Sequence, residues 1–400
     1  MTNNEAIIAR GQQYLLQNYR KQPIVIERGE GAYVWDADGR RYLDLICGVA
    51  TVALGHTHPE VTRAAQAQLT RCWHTANGVW TQPQIDLAEK LTRLSGLERA
   101  FFCNSGAEAN EAMLKLARKH HKDRGDVARV EFLAFQQSFH GRTLATLTAT
   151  GQDKYHHGFE PLPPGFAHVP YGDLPAVRSN VGPRTAAIIV EPVQGEGGVV
   201  PAPEGFLREL RRICDETGAL LLIDEIQTGM GRTGRMFGFE WEGIRPDAIS
   251  LAKALANGLP LGAMLCREQV AGALGPGSHG STFGGNLVAC AAANAAVQIV
   301  SEPRMLEAVR EKGAYLLRQL EEMRARISDK VVAVRGKGLL VGVEVASDAR
   351  GVVRRCREAG VLVNVAGEKT VRMAPAFIVA REQLDEGVAA LEKAIRESGL

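Results

Sequence analysis

Three groups that could do chemistry together follow apolar runs of the sequence. Asp224 directly follows the run 219–223, Lys253 follows the run 247–251, and a Ser-Gly-Ala turn at 105–107 precedes a helical stretch. A carboxylate that is poorly solvated needs a cationic or N–H partner. A lysine among small apolar residues can have a lowered pKa and act as an amine nucleophile. Backbone N–H groups at a helix N-terminus suit a phosphate.

Each of these features also has an ordinary structural interpretation. Ser105 can be a helix N-cap, with Glu108 in the capping-box position three residues on. Asp224 can be a helix cap or half of a structural ion pair, and Lys253 can be a solvated side chain. Taken together, the three match the needs of pyridoxal phosphate. This cofactor requires an anion site, a carboxylate that keeps its pyridine nitrogen protonated, and a lysine that holds its aldehyde as a Schiff base.

The elements that would position these groups alternate between strand and helix. Strands are predicted over 100–103, 130–135, 186–190, 219–223 and 247–251. A helix opening at Pro203-Glu204 and ending at Gly218 lies before the fourth of them. Strand–helix–strand order predicts parallel strands with right-handed crossovers, and hence an α/β fold. In such sheets, ligands lie beyond the carboxyl ends of the strands, which is where the three groups stand.

The two ends of the chain have a different pattern of predicted elements, which indicates an α+β unit. Short strands are expected within 24–45, and a long helix, three short strands and a final helix are expected over 305–326, 339–345, 361–365, 370–373 and 384–395. We expect a large cofactor-binding domain over 54–302 and a smaller domain built from 1–53 and 303–400. The passage 152–183, rich in Gly, Pro and His, is predicted to be an irregular surface excursion.

Composition excludes several function classes. The chain has 400 residues, 45% of them hydrophobic and 23% charged, with 47 Lys and Arg against 45 Asp and Glu. The resulting net charge of +2 is too small to indicate binding to nucleic acid or to anionic lipid. No apolar run reaches the length of a membrane span, and the N-terminus lacks the pattern of a secretory signal, so we expect a cytoplasmic protein.

Neither a metal site nor a dinucleotide site is favoured. The seven cysteines contain no C-x-x-C spacing and the ten histidines no H-E-x-x-H spacing, so we expect reduced thiols and no metal. Residues 229–234 fit G-x-G-x-x-G, but no helical period follows them, as the nicotinamide and flavin fingerprint requires.

Motifs spread along most of the chain resemble the class III, or subgroup II, aminotransferases of pyridoxal-phosphate fold type I. They are LDLICGVATVALGHTHPEV (43–61), CNSGAEANEAMLKLARK (103–119), SFHGRT (138–143), VEPVQGEGG (190–198), LLLIDEIQTGMGRTG (220–234), LAKALANGLPLGA (251–263) and STFGGN (281–286). The resemblance implies a mostly parallel central sheet in the large domain and a smaller α+β domain built from both chain ends.

The resemblance also implies roles around the cofactor. Lys253 would hold the cofactor and shuttle the proton, Asp224 would face the pyridine nitrogen, and Gln227 would face the ring hydroxyl. Phe139 would stack on the ring. The phosphate would be held by Ser105, Gly106 and Ala107 and, from the other subunit, by Thr282. This sharing implies an obligate homodimer.

Four further residues would contact substrate. Arg142 would bind a substrate carboxylate, and Ser281, the neighbour of Thr282 in sequence, would touch substrate. Glu191 resembles a gate residue that pairs with a second arginine, Arg372. Such a pair would close for an ω-amine donor and open for a diacid, which lets one pocket serve both half-reactions.

The implied activity is a ping-pong transfer of an amino group. The terminal amine of N-acetylornithine would go to 2-oxoglutarate, giving N-acetylglutamate 5-semialdehyde and glutamate, as in arginine biosynthesis. Succinylornithine, ornithine and 4-aminobutyrate remain alternative donors. A mutase or racemase of the same fold, an oxidoreductase built on 229–234 and a non-catalytic binding module are the other possibilities.

Overall fold

The computed structural model describes residues 2–346 and 348–398. Their strands are β1 Ile26–Glu30, β2 Tyr33–Asp36, β3 Arg41–Asp44, β4 Arg99–Cys103, β5 Glu131–Phe135, β6 Phe166–Val169, β7 Thr185–Val190, β8 Val193–Gln194, β9 Val200–Pro201, β10 Leu220–Asp224, β11 Ala248–Leu251, β12 Gly262–Cys266, β13 Val331–Lys337, β14 Leu340–Val345, β15 Val361–Leu362, β16 Asn364–Ala366 and β17 Thr370–Met373. Their helices are α1 Asn3–Tyr14, α2 Cys47–Ala50, α3 Pro59–Leu69, α4 Gln82–Ser95, α5 Gly106–Asp123, α6 Leu144–Ala149, α7 Leu174–Asn180, α8 Phe206–Thr217, α9 Glu268–Ala271, α10 Leu287–Val300, α11 Pro303–Arg326, α12 Ala349–Glu358 and α13 Arg381–Glu397. Short 3₁₀ turns are formed by Asp153–Tyr155, Gly238–Glu242, Lys253–Ala256 and Gly272–Leu274.

A seven-stranded sheet, in the order β4-β12-β11-β10-β7-β5-β6, forms the centre of the molecule. The pairs from β11 through β6 are parallel, which confirms the predicted α/β fold. β12, which the sequence patterns did not predict, runs antiparallel to both β11 and β4. β4 therefore points in the same direction as the parallel strands, and its carboxyl end lies at the same edge.

Both faces of this sheet are covered, as the continuous apolar run of β10 predicts. Leu221 and Ile223 belong to a core cluster with α8 and α10, whereas Leu220 and Leu222 belong to a second cluster with α5. The helix expected to open at Pro203 instead begins at Phe206, because Gly205 precedes it in a left-handed conformation (φ 79°).

The two chain ends share a smaller sheet. β15 pairs in parallel with β3, placing Val361 beside Leu43, in the order β1-β2-β3-β15. A third sheet has the order β13-β14-β17-β16. The single strand predicted over 361–365 is wrong in this respect, because it divides at Val363 between two sheets. The domain limits at residues 54 and 302 stay a prediction.

The passage 152–183 is more regular than predicted. It contains β6, the edge strand of the central sheet, and α7, which is capped by the Asp173 side chain. Among the residues described, no helix is both long and apolar enough to cross a bilayer.

Candidate active site

The carboxyl edge of the central sheet holds a cleft of about 380 Å³. Asp224 is the last residue of β10, Lys253 lies two residues beyond β11, and Ser105 lies two residues beyond β4. The structure brings most of the predicted site residues together here; those that line the cleft are Ser105, Gly106, Ala107, Phe139, Arg142, Glu191, Asp224, Gln227 and Lys253.

Lys253 opens a 3₁₀ turn in a left-handed conformation, with φ of 43°. Non-glycine residues rarely adopt this region, and such strain concentrates at functional sites. Burial lowers the pKa of Lys253 below its ordinary value, and the positive charge of Arg372 lowers it further. The carboxylates of Glu196, Asp224 and Glu191 act in the opposite direction but do not restore it. The result is an amine with increased nucleophilic character.

Asp224 is 3% exposed and fully engaged by donors. Its Oδ2 accepts hydrogen bonds from Asn110 Nδ2 at 2.7 Å and from His140 Nδ1 at 2.8 Å, and its Oδ1 accepts one from the backbone N–H of Ile226 at 3.0 Å. These three hydrogen bonds fix the position and the orientation of the carboxylate. Sequence analysis missed Asn110 and His140, although both lie inside motifs that it quoted.

Burial alone would lower the pKa of His140, but the hydrogen bond and the charge of Asp224 outweigh it, and the pKa of His140 is raised. Glu191, the residue directly after β7, behaves differently. Burial raises the pKa of Glu191 to about 7, despite the nearby His140 and two backbone donors, Phe139 N–H and Gly195 N–H.

The turn at 105–107 combines a helix cap with a candidate anion site. Ser105 caps α5, since its Oγ accepts a hydrogen bond from Glu108 N–H at 3.2 Å. The expected capping box is not completed, because the Glu108 carboxylate binds Asn104 N–H instead. The Ser105 hydroxyl proton and the N–H groups of Gly106 and Ala107, the first two residues of the 18-residue helix α5, point to a candidate phosphate site. A Cβ on Gly106 would lie 2.6 Å from Ile226 Cδ1, so a larger residue at this turn would require the Ile226 side chain to shift.

Arg372 corrects the predicted gate. Its Nη1 donates to Glu196 Oε1 at 2.6 Å, to Gln227 Oε1 at 3.0 Å and to Gly195 O at 3.3 Å. The expected pair with Glu191 is wrong, because the Glu191 carboxylate is held by the backbone donors of Phe139 and Gly195. Burial alone would raise the pKa of Glu196, but the charges of Arg372 and Lys253 lower it overall, which keeps this partner ionised.

The predicted residues Ser281 and Thr282 lie in a neighbouring cleft rather than beside Lys253. Ser281 Oγ accepts a hydrogen bond from Asn104 Nδ2 at 3.1 Å, and Asn104 lines both clefts. Thr282 is exposed. The structure thus places the loop after Gly280 at the rim of the candidate active site.

Known proteins share this architecture along the whole chain. The family model "Aminotransferase class-III" matches residues 14–395. The chain belongs to the class-III aminotransferases. It is 61% identical to the acetylornithine aminotransferase of Myxococcus xanthus over 96% of each chain. It is 45% identical to that of Methanothermobacter thermautotrophicus over 99% of this chain and 100% of the other. Among solved structures, the ornithine aminotransferase of Toxoplasma gondii matches with a TM-score of 0.95 at 32% identity, covering 99% of this chain and 96% of that one.

This class-III aminotransferase uses pyridoxal 5'-phosphate, and its cleft fits that group. The α5 N-terminus suits the phosphate, the engaged carboxylate of Asp224 suits a protonated ring nitrogen, and the amine of Lys253 suits the aldehyde. In the part of the chain that the structure describes, no cluster of three or more His, Cys, Asp or Glu residues suits a metal. Residues 229–234 form turns rather than a helix, so they lack the dinucleotide-binding context.

Proposed function

We propose that this aminotransferase moves the terminal amino group of N-acetylornithine to 2-oxoglutarate, giving N-acetylglutamate 5-semialdehyde and glutamate. The observation that carries the choice of donor is the 61% identity, over 96% of both chains, to a relative named acetylornithine aminotransferase. The cleft chemistry agrees, because Arg142 lines the cleft and can bind a carboxylate, and the Arg372 guanidinium contacts the cleft residues Glu196 and Gln227.

The roles of the chain's own groups follow from their positions. When bound, pyridoxal 5'-phosphate supplies an electron sink for the bonds at the substrate's amine-bearing carbon. Asp224, held by His140 and Asn110, would face the ring nitrogen. Lys253 would anchor the cofactor, and its amine, whose pKa burial lowers, would accept and return the substrate proton. Ser105 and the α5 N-terminus would bind the phosphate.

The choice between the two substrates rests on Arg372. Paired with Glu196, it offers little charge to a donor that has a neutral acyl chain. A diacid presents a second carboxylate that can replace Glu196 on the guanidinium. In this proposal the Glu196–Arg372 contact takes the gating role that the family resemblance implied for Glu191.

A donor panel tests this proposal. With 2-oxoglutarate as acceptor, kcat/KM is measured for N-acetylornithine, succinylornithine, ornithine and 4-aminobutyrate, with Lys253→Ala as the inactive control. We expect N-acetylornithine to give the highest value. Parity with ornithine or 4-aminobutyrate overturns the choice of donor, and turnover without 2-oxoglutarate overturns transamination.

We also propose a homodimer that shares its active sites. Trp73, Trp80 and Phe283 are 65%, 90% and 59% exposed. Their segments are joined, because Asn286 Nδ2 donates to Trp73 O at 2.9 Å. Exposed apolar side chains of this size, next to Thr282, favour a second copy of the chain as their cover.

Sedimentation of the purified protein, alone and as Trp80→Asp, measures the assembly. A wild-type monomer at micromolar concentration contradicts the homodimer. The cytoplasmic location expected from the sequence also remains a prediction.

A further inference from the structure

Tyr155 lies at the end of the 3₁₀ turn Asp153–Tyr155, in the passage that sequence patterns predicted to be a surface excursion. Both flanks of this turn are anchored. The buried Gln152 side chain donates to Ser138 O at 3.0 Å, and His156 Nε2 lies 2.7 Å from Thr150 O. The half-buried ring of Tyr155 is therefore held in place beside the cleft.

The ring of Tyr155 contacts two residues that line the active-site cleft. The guanidinium carbon of Arg142 lies 4.1 Å from the centre of the Tyr155 ring. Phe139 meets the same ring edge-on, with centroids 5.9 Å apart and planes at 79°. Arg142 also lies 5.6 Å from the Phe139 ring. The exposed side chain of Lys154 is a second cation near Tyr155, at 5.1 Å.

We propose that Tyr155 is a positioning residue that holds Arg142 ready for the carboxylate on the donor's α-carbon, and so sets the preference for amino-acid donors. This inference rests on the proposed function, because it takes Arg142 as the ligand of that carboxylate.

The type of contact matters for this role. Arg142 is exposed, and within residues 2–346 and 348–398 its guanidinium contacts aromatic faces. A carboxylate partner would occupy the N–H donors and neutralise the charge. An aromatic face restrains the guanidinium while leaving its in-plane donors available for a bidentate carboxylate.

The electrostatics of Tyr155 agree with this geometry. Burial raises the pKa of Tyr155 above its ordinary value, and Glu196 raises it, whereas Arg142 and Arg372 lower it. The phenol therefore stays neutral in the working range and does not compete with a substrate carboxylate.

The test compares two ring substitutions with two donors. Tyr155→Phe keeps the aromatic face, and Tyr155→Leu removes it at similar volume. N-acetylornithine carries the α-carboxylate, and N-acetylputrescine is the same molecule without it. Tyr33→Leu is the matched control, since Tyr33 is another half-buried tyrosine, with Arg41 4.4 Å from its ring centre, outside the cleft.

For Tyr155→Leu we expect KM for N-acetylornithine to rise about two- to fivefold with kcat nearly unchanged, the equivalent of a cation–π contact of about 0.5–1 kcal/mol. Its kinetics with N-acetylputrescine, the cofactor absorbance, and both parameters of Tyr155→Phe and Tyr33→Leu should match the wild type. In an Arg142→Ala background, Tyr155→Leu should have no further effect on KM.

Equal losses with both donors, a loss in Tyr155→Phe as large as in Tyr155→Leu, or an undiminished effect without Arg142 would each overturn the proposal. Failure of the proposed function is a separate result. It would be seen in the wild type, as a preference for a donor other than N-acetylornithine.

Discussion

Replacing Glu196 by Gln tests the substrate gate. In the free protein, Glu196 Oε1 lies 2.6 Å from Nη1 of Arg372, whose side chain is 2% exposed. A diacid must displace this carboxylate, whereas an acylated amine donor leaves it in place. Glu196→Gln preserves the shape and the possible hydrogen bond but removes the charge.

The expected size follows from the kind of contact. Arg372 stays charged in Glu196→Gln, so the variant loses the attraction between two opposite charges, which is about 1 kcal/mol for charges about 4 Å apart in water and more where water is excluded. A loss of this size corresponds to a change of at least about fivefold at 1.36 kcal/mol per tenfold. The specificity ratio for glutamate over N-acetylornithine should rise by this factor, because Arg372 becomes easier to reach for the second carboxylate.

Single-turnover absorbance changes of the cofactor measure each half-reaction separately. Glu191→Gln is the matched control: it also lines the cleft, but its carboxylate is held by Phe139 N–H and Gly195 N–H. The proposed gate would be refuted if the specificity ratio for glutamate over N-acetylornithine were unchanged in Glu196→Gln. It would also be refuted if this ratio rose equally in Glu191→Gln.

Two further predictions concern the cofactor's surroundings. The pKa of His140 is raised, so the charged contact with Asp224 stabilises the fold below the ordinary histidine value of 6.5 and is lost as pH rises through the folded-state pKa. His140→Leu should therefore lower the melting temperature most near pH 6 and progressively less toward pH 9. A difference in melting temperature between the variant and the wild type that does not vary with pH would contradict this prediction. Gly262→Ala should weaken cofactor binding, measured by absorbance titration, because its Cβ would lie 2.3 Å from Ser105 O. Gly182→Ala, where nothing lies within 4 Å, is the control, and equal cofactor affinities in the two variants would rule out the steric argument.

Sequence patterns predicted the strand-end groups well, since they depend on local order. Asp224 and Lys253 follow apolar runs, and the parallel arrangement of β10 and β11 brings the ends of these strands to one edge. The contacts that hold Asp224 could not be found this way. Asn110 and His140 are 114 and 84 residues away in sequence, and neither carries a local signal for its partner.

The gate shows the same limit within one motif. The stretch 190–198 contains two glutamates, and the family resemblance assigned the gate to Glu191. β8, at 193–194, turns the chain so that Glu196 instead meets Arg372. The antiparallel β12 was missed because its five residues form a short apolar run, which periodicity alone cannot assign to a strand.

The charges of the cleft explain how one site can serve two kinds of substrate. Glu196 neutralises Arg372, whereas Arg142 contacts aromatic faces and keeps its charge available. A donor with one carboxylate thus meets one available guanidinium. A diacid brings a second carboxylate, which can replace Glu196 on Arg372. The ion pair that Glu196 loses is then replaced by one between Arg372 and the diacid. Glu191 could not act as this gate, because its carboxylate oxygens accept hydrogen bonds from backbone N–H groups. Those N–H groups would lose their partner if the Glu191 side chain moved away. We therefore propose that discrimination between the amine donor and the diacid depends on the partner of Arg372.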